Sequence, residues 1–319
     1  MKTIRVAAIQ IESVGGKIAY NLEHAVPFIE EAKRRGAEIA LLPELFPTGF
    51  DLTEAIWDAG EASDGPTVQW LKEQSGKHGL WIGTSFLEAV GDRFYNTFVL
   101  TNPKGEEAGR VRKGRPAATE TFFFEGFPGP HVLDTPLGRI GVSICYEGYL
   151  ATTVKQLHEE GADLVLMPHS APTPSLSAGL KQSQLDEYDR ALRAVSSATA
   201  RDLGIPAVMA NKVGRWKIRS PWPFPDEDSC FPGYSSIADS EGKILAELGN
   251  EEGVIVADIA LDSGKKAKNI PRPHGKWARA VPSLFRLFVI SETLGGIRYR
   301  LSRKRRKLAS KISLSAHEG

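Results

Sequence analysis

The sequence predicts an α/β protein with mixed sheets, built as one domain over residues 1–262 and followed by a C-terminal extension, residues 263–319. Three observations lead to this prediction. Short apolar runs typical of buried strands alternate with longer segments whose apolar residues recur at helical spacing. Some apolar runs are separated only by turn residues, which indicates hairpins and therefore sheets that are not purely parallel. No fixed-length repeat and no clear linker divides the first 262 residues.

The predicted strands are short runs rich in valine, isoleucine and leucine. The first is almost continuously apolar, which is typical of a strand buried on both faces. Pro43 ends the second, because proline has no N–H to donate to a neighbouring strand. In chain order, the predicted strands cover residues 4–11, 39–42, 80–86, 94–100, 140–144, 164–167, 206–210, 234–238, 244–248 and 254–259. The predicted turns lie at Gly91-Asp92, at Gly138-Arg139 and at residues 240–242.

The predicted helices are the four longer segments with helical spacing. Each is followed directly by a glycine, which favours the end of a helix because glycine adopts the left-handed conformation found there. These helices cover residues 21–35, 67–78, 152–160 and 182–203.

One stretch, residues 216–233, has no such period and contains four prolines among several aromatic residues. We interpret it as a long ordered loop. Loops of that length in a compact domain are more often functional than idle.

Composition excludes several classes of protein. The chain has 319 residues, of which 41% are hydrophobic and 25% charged, as in ordinary globular proteins. It is therefore not a disordered chain, a collagen-like repeat or a disulfide-rich miniprotein. The two cysteines, Cys145 and Cys230, suit a reducing compartment or one reactive thiol. The N-terminal residues lack a signal-peptide pattern, and no apolar run reaches the roughly 18 residues of a membrane span. These features predict a soluble, cytoplasmic protein.

Charge is concentrated near the C-terminus. The net charge of +1 predicts no partner, but residues 293–317 contain eight basic residues and no acidic one. Before them, residues 284–301 carry an apolar helical stripe that Gly295-Gly296 interrupts. We interpret this extension as a packing segment with a solvated basic end. A contact with a partner subunit or an anionic surface is the alternative, and nothing in the rest of the sequence indicates nucleic-acid binding.

Polar groups that could carry chemistry follow three of the predicted strands. Glu44 comes just after a buried strand, Lys113 lies where a strand passes into a loop, and Cys145 lies between a strand and a helix. The N–H groups at the start of that helix would favour thiolate over thiol and could also receive an oxyanion. Taken singly, such residues are more often an inert core cysteine or solvated surface charges.

Taken together, these residues and their surroundings resemble the motifs of the nitrilase, or carbon–nitrogen hydrolase, superfamily. Four patterns follow the family's order: LPELFPTGF at 42–50, RKGRP with the later Glu120, GVSICYE at 141–147, and a downstream set at 211–214, 231–237 and 239–242. The resemblance covers roughly residues 3–260. It implies a four-layer α-β-β-α sandwich, a homodimer or larger assembly, and no metal or organic cofactor.

The resemblance also implies a role for each motif residue. Glu44 is expected to act as general base, Cys145 as nucleophile, and Lys113 as the charge that stabilises the oxyanion together with the backbone N–H of Tyr146. Glu120 occupies the place of a second glutamate that holds the lysine and the substrate, although it could be only a helix-start carboxylate.

Two further residues are expected to bind substrate. Tyr146 follows the nucleophile, and His169 ends the next predicted strand, where the family lines its pocket. His169 could equally be a structural histidine whose ring nitrogens have hydrogen-bond partners within the protein.

Departures from the family pattern leave the substrate open. Arg115 stands where many family amidases have histidine. Glu147 stands where many of them have aspartate, and a glutamate at this place is typical of true nitrilases. The downstream motifs look more like the amidase and carbamoyl-hydrolase branches. The favoured hypothesis is therefore a hydrolase of non-peptide C–N bonds, amide or N-carbamoyl, that releases ammonia through a cysteine thioester. The alternatives are a nitrilase and a catalytically silent binding protein with the same fold.

Overall fold

The computed structural model describes residues 2–176 and 179–315, so the last four residues of the predicted extension lie outside it. In the described residues, the strands are β1 (Lys2–Gln10), β2 (Ile39–Leu41), β3 (Trp81–Val90), β4 (Arg93–Thr101), β5 (Glu107–Arg112), β6 (Val132–Thr135), β7 (Gly138–Val142), β8 (Leu164–Pro168), β9 (Ala207–Ala210), β10 (Val213–Ile218), β11 (Glu227–Pro232), β12 (Ser236–Ala238), β13 (Ile244–Glu247) and β14 (Gly253–Leu261). The α-helices are α1 (Ile18–Arg34), α2 (Pro66–His78), α3 (Ala151–Glu159), α4 (Gln182–Leu203), α5 (Phe288–Leu301) and α6 (Arg303–Ser315).

The described strands form two six-stranded mixed sheets and one two-stranded ribbon. The sheet orders are β14-β1-β2-β3-β4-β5 and β13-β12-β9-β8-β7-β6, and β10 pairs with β11. Each sheet has two parallel pairs at its centre, β1-β2-β3 in one and β7-β8-β9 in the other, with antiparallel strands on both sides. The prediction of an α/β fold with mixed sheets is confirmed.

The sheets lie face to face, with helices on their outer faces, as the family resemblance implies. Residues of β1 show the two sides clearly. Val6 and Ala8 belong to the apolar core between the sheets, whereas Ala7 and Ile9 belong to the core beneath α1 and α2. Side chains alternate along a strand, so a strand covered on both sides must be apolar at every position. Helices α3 and α4 cover the second sheet.

Two local predictions are wrong. Residues 216–233 are not one long loop, because β10 and β11 pair with each other. The pairing buries Trp216, Ile218 and Phe231 in a third apolar cluster. Three of the four prolines lie in the connection between the two strands. The turn before β7 lies at Pro136-Leu137, so residues 138 and 139 already pair with β6. Helix α5 runs through Gly295-Gly296, the pair that interrupts its apolar stripe.

The C-terminal extension packs on the body instead of projecting from it. The Tyr299 hydroxyl bonds the backbone N–H and carbonyl of Phe94, and Arg305 lies over the Tyr299 ring. At Gly295, an added Cβ would come within 2.2 Å of Thr121 Oγ1, so α5 reaches this distance only because the residue is glycine. In the described part of the chain, no helix has the length and apolar character needed to cross a membrane.

Candidate active site

The ends of strands from both sheets meet at one place. Glu44 follows β2 of the first sheet, and His169 and Ser170 follow β8 of the second. The Glu44 backbone N–H donates to the His169 carbonyl at 3.2 Å, and the Ser170 hydroxyl donates to the Glu44 carbonyl at 2.6 Å. Lys113 follows β5 and Cys145 follows β7. The fold therefore gathers residues that are far apart in the sequence.

Lys113 lies between two carboxylates in the protein interior. Its Nζ is 2.7 Å from Glu44 Oε1 and 3.0 and 2.8 Å from the two carboxylate oxygens of Glu120, and all three side chains are buried. Glu120 Oε2 also accepts the backbone N–H of Ala117 at 2.6 Å, at the start of the 3-10 turn Ala118–Phe122. Glu120 thus both pairs with the lysine and caps a helical turn.

Two residues that the sequence did not indicate hold the Glu44 carboxylate. Asn96 Nδ2 donates to Oε1 at 2.7 Å, and the Ser170 backbone N–H donates to Oε2 at 2.8 Å. Asn96 also accepts the Lys113 backbone N–H on its carbonyl, so one residue of β4 fixes both the carboxylate and the lysine. Both oxygens of Glu44 are therefore oriented by donors on rigid elements.

Cys145 begins a five-residue 3-10 turn, Cys145–Tyr149, with its backbone in the left-handed region at φ 53°. A residue with a Cβ is strained there, and such strain persists only where the surroundings enforce it. The Glu147 carboxylate accepts the Ile144 backbone N–H at 2.9 Å and helps to enforce it. Helix α3 starts only at Ala151, so the prediction that Cys145 faces the start of a long helix is wrong.

The electrostatics of the site favour a protonated thiol, which also differs from the sequence prediction. Burial raises the pKa of Cys145 well above its ordinary value, the Glu44 carboxylate raises it further, and Lys113 opposes both effects. Burial lowers the pKa of Lys113, but Glu120 and Glu44 outweigh it and keep the ammonium charged. Burial and Glu44 raise the pKa of Glu120 to about 7 against the opposing effect of Lys113.

Glu147 ties the lysine loop to the cysteine turn, a role that sequence reasoning missed. Its Oε1 accepts the Gly114 backbone N–H at 2.7 Å and lies 3.0 Å from His131 Nε2. His131 and Glu147 are buried. Burial lowers the pKa of His131, but the Glu147 carboxylate, the Gly129 carbonyl and Glu160 together raise it above its ordinary value. The glutamate at this position, which the sequence showed only as a departure from the family, therefore positions both Lys113 and Cys145.

Lys212, in the downstream motif, adds a buried cation near Glu44. Its Nζ donates to the Leu45 carbonyl at 3.2 Å and lies close to the rings of Phe50 and Phe231. Burial lowers the pKa of Lys212 to about 7, against a smaller raising effect of Glu44.

A cavity of about 400 Å³ opens beside Cys145, and both predicted substrate-binding residues line it. The Tyr146 side chain turns toward the C-terminal extension, where its hydroxyl donates to Glu292 Oε1 at 3.1 Å and its ring meets Trp277 and Phe285. His169 is fully buried at the cavity wall. Among the described residues, no group of three or more histidine, cysteine, aspartate or glutamate side chains is placed to hold a metal ion.

His169 has one partner and one unpaired nitrogen. Its Nδ1 lies 3.0 Å from the Met167 carbonyl, whereas Nε2 is buried without a hydrogen-bond partner among the described residues. Burial lowers the pKa of His169 to about 4, so the ring is neutral at pH 7. A neutral ring that faces a carbonyl with Nδ1 must carry its proton there, which leaves Nε2 as an acceptor at the cavity wall.

Acid is expected to destabilise the protein partly through His169. Between pH 6.5 and about 4, the unfolded chain binds a proton on this ring that the folded chain excludes. The free energy of unfolding therefore decreases as the pH is lowered through that window, and the loss due to this ring reaches about 2 kcal/mol at pH 5. Urea unfolding at pH 7.5 and pH 5 checks this, with His169→Gln expected to lose that much less than wild type. His274→Gln, at an exposed position, is the control; equal losses in all three proteins would contradict the prediction.

Comparison with known proteins gives clear matches. A sequence model of the carbon-nitrogen hydrolase family matches residues 5–269. Over 175 residues the chain is 31% identical to a nitrilase of Pyrococcus abyssi, a match that covers 54% of this chain and 66%, about two thirds, of that protein. Over 259 residues it is 26% identical to an N-carbamoylputrescine amidase of Solanum tuberosum, covering 78% of this chain and 83% of the relative.

Solved structures show the same fold. A carbon-nitrogen hydrolase from Helicobacter pylori G27 superposes with a TM-score of 0.72 at 18% identity, covering 95% of this chain and 96% of that one. A mutant of the amidase from Nesterenkonia sp. AN1, with the acetamide moiety of fluoroacetamide added covalently at the active site cysteine, superposes with a TM-score of 0.66 at 22% identity. That match covers 80% of this chain and 90% of the other.

Proposed function

This chain belongs to the carbon-nitrogen hydrolase family, within the nitrilase superfamily, and from that membership we propose that it hydrolyses an amide-type C–N bond through a thioester on Cys145. One observation carries the proposal. The Lys113 ammonium is held between the Glu44 and Glu120 carboxylates, and Glu120 and Cys145 line the same cavity. A base, a fixed positive charge and a sulfur nucleophile are the groups that acyl transfer needs.

In the proposed first half-reaction, Glu44 takes the proton of the Cys145 thiol as the sulfur attacks the amide carbon. Because burial and Glu44 raise the pKa of the thiol, we place this proton transfer in the attack itself. Lys113 and the Tyr146 backbone N–H stabilise the oxyanion. The intermediate collapses as Glu44 returns the proton to the leaving nitrogen, which releases ammonia and leaves a thioester.

In the second half-reaction, Glu44 takes a proton from water, and the resulting hydroxyl attacks the thioester carbon. The same two donors stabilise the second oxyanion. Collapse breaks the C–S bond, and the proton on Glu44 returns to the sulfur as the carboxylic acid leaves. Glu120 acts as a positioning residue, because its two contacts with Nζ hold the ammonium in place through both steps.

The unpaired nitrogen of His169, a residue that lines the cavity, supports an amide over a nitrile. Nε2 of His169 is a buried acceptor, and an unpaired buried acceptor is costly. A carboxamide or carbamoyl nitrogen carries N–H groups that can donate to it, whereas a nitrile nitrogen carries none. Nitrile hydrolysis remains the second candidate, since Cys145 is followed by tyrosine and glutamate and nitrilases are among the relatives. Family membership and the presence of all three motif residues argue against a catalytically silent protein.

Ammonia release from a carboxamide and from the nitrile of the same carbon skeleton tests this proposal. We expect ammonia from the amide and none from the nitrile, with Cys145→Ala as the blank. Faster release from the nitrile would establish the second candidate instead.

Glu44→Gln is expected to lose activity in both half-reactions. The substitution keeps the shape of the side chain but removes the base that each step requires. Acid quenching followed by mass spectrometry of the intact protein should therefore find no more acyl-enzyme than in wild type. A long-lived adduct accumulating in the variant would mean that the carboxylate serves only deacylation.

We propose a cytoplasmic homodimer or larger homo-oligomer acting on a small molecule, with residues 1–262 as the hydrolase domain and 263–319 as an extension. Light scattering coupled to size-exclusion chromatography tests the oligomeric state.

A further inference from the structure

The cavity beside Cys145 is walled mainly by apolar side chains from two parts of the chain. The ribbon β10-β11 and its connection provide Trp216, Ile218 and Phe224, and the C-terminal extension provides Leu284, Leu287 and Ile290. We call residues 283–291 of the extension the C-terminal wall. At about 400 Å³ the cavity has the size of a small-molecule site, with room well beyond the carboxamide group itself.

Charged partners for a substrate are scarce in this cavity. No lysine or arginine is among the described residues that line it, so a carboxylate on the substrate would find no counter-ion there. Of the two glutamates in the lining, Glu120 is paired with Lys113, whereas Glu227 Oε2 accepts the backbone N–H and the hydroxyl of Ser175, neutral donors that leave its negative charge in place. The lining therefore disfavours an anionic substrate group. Burying an unpaired charge is costly, whereas burying apolar groups is favourable in proportion to their area.

We infer that the substrates are amides of apolar carboxylic acids, with an alkyl or aryl acyl group of several carbons, and that the C-terminal wall selects them. This inference rests on the proposed function. The reaction is R–CO–NH2 plus water giving R–COOH and NH3, where the amide group meets Cys145, Lys113 and His169 and R occupies the apolar cavity.

The C-terminal wall is fixed relative to the catalytic groups. The Thr121 hydroxyl contacts the Ser291 carbonyl at 3.2 Å, and Thr121 lies next to Glu120 in the chain. At the start of the wall, Glu187 Oε2 accepts both the backbone N–H and the hydroxyl of Ser283, at 3.0 and 2.9 Å. Because both ends of the wall are held, its apolar side chains have defined positions along the path of the acyl group.

A matched set of amides tests this inference. From acetamide to hexanamide, kcat/KM for ammonia release should rise about fourfold for each added methylene. The monoamide of adipic acid has similar length but ends in an anion, and it should be at least tenfold poorer than hexanamide. 6-Aminohexanamide ends in a cation that Glu227 could meet, and it should not exceed hexanamide. A preference for either charged amide, or no dependence on chain length, would overturn the inference.

Variants of the wall supply a second readout. Leu287 and Val289 are both about half exposed in the same segment, but only Leu287 lines the cavity. Leu287→Asp should lower the hexanamide-to-acetamide ratio of kcat/KM by about tenfold, and Val289→Asp should keep it. Equal effects of the two variants would count against the wall.

Failure of the proposed function is distinguishable from failure of this inference. If no amide releases ammonia, the hydrolysis proposal fails. Calorimetric binding to Cys145→Ala protein then still tests the cavity, because hexanamide should bind at least tenfold more tightly than the monoamide of adipic acid. Equal or weaker binding of hexanamide would overturn the inference independently of turnover.

Discussion

Cys145→Ala is expected to lower turnover by at least ~10⁴-fold while leaving the protein folded. In the proposed mechanism the sulfur forms the C–S bond in the first half-reaction and is the leaving group in the second, so both depend on it. Cys230, the other cysteine, is exposed on β11 and does not line the cavity. Ammonia release under saturating amide measures the loss. Intact mass after brief incubation with substrate and acid quenching should show an acyl adduct in wild type and none in the variant.

Cys230→Ser is the matched control for this experiment, because it removes the other thiol of the chain. It should retain wild-type turnover and the acyl adduct. Undiminished activity in Cys145→Ala, or loss of activity in Cys230→Ser, would refute the assignment of the nucleophile.

Lys113→Met is expected to abolish turnover and also to destabilise the fold by about 3–5 kcal/mol at pH 8. The ammonium is the partner of two buried carboxylates, and its removal leaves Glu44 and Glu120 close together without a counter-charge. One of them must then stay protonated, so the destabilisation should shrink as the pH is lowered from 8 to 5.5. Urea unfolding at the two pH values measures the difference from wild type.

The double variant Lys113→Met with Glu120→Gln separates stability from catalysis. It removes one carboxylate together with the cation, so most of the lost stability should return while turnover stays absent. A single variant as stable as wild type at pH 8, or a double variant no more stable than the single one, would contradict the view that Lys113 compensates the charges of Glu44 and Glu120.

The order and type of most elements follow from the sequence. Helix α4 begins and ends where its apolar period and Gly204 predict, because a strong local period and a left-handed glycine act without distant help. The positions of Glu44, Lys113 and Cys145 at strand ends are likewise local features. Their meeting follows from the topology, since strands of two stacked sheets end at the same place.

The residues that complete the site depend on contacts that local patterns do not encode. Asn96 and Ser170 orient Glu44 only because the fold brings them to it: Asn96 lies on β4, two strands from β2 in the first sheet, and Ser170 follows β8 of the second sheet. Glu147 acquires its role because the loop after β5 lies against the turn that contains Cys145. The paired strands β10 and β11 escaped prediction because three of their four nearby prolines, typical of loops, lie in the connection. The apolar residues Trp216, Ile218 and Phe231 are too few to mark two strands by themselves, and they share a buried cluster only once the ribbon has formed.

The C-terminal wall also sets the order in which a functional enzyme arises during synthesis. A nascent chain that has emerged as far as residue 282 already contains Glu44, Lys113 and Cys145, yet it lacks the C-terminal wall of the cavity. At translation rates of about 5–20 residues per second, chemistry and selectivity would arrive seconds apart. A chain that stops at residue 282 would therefore carry the three motif residues without the apolar side chains that we propose select the acyl group.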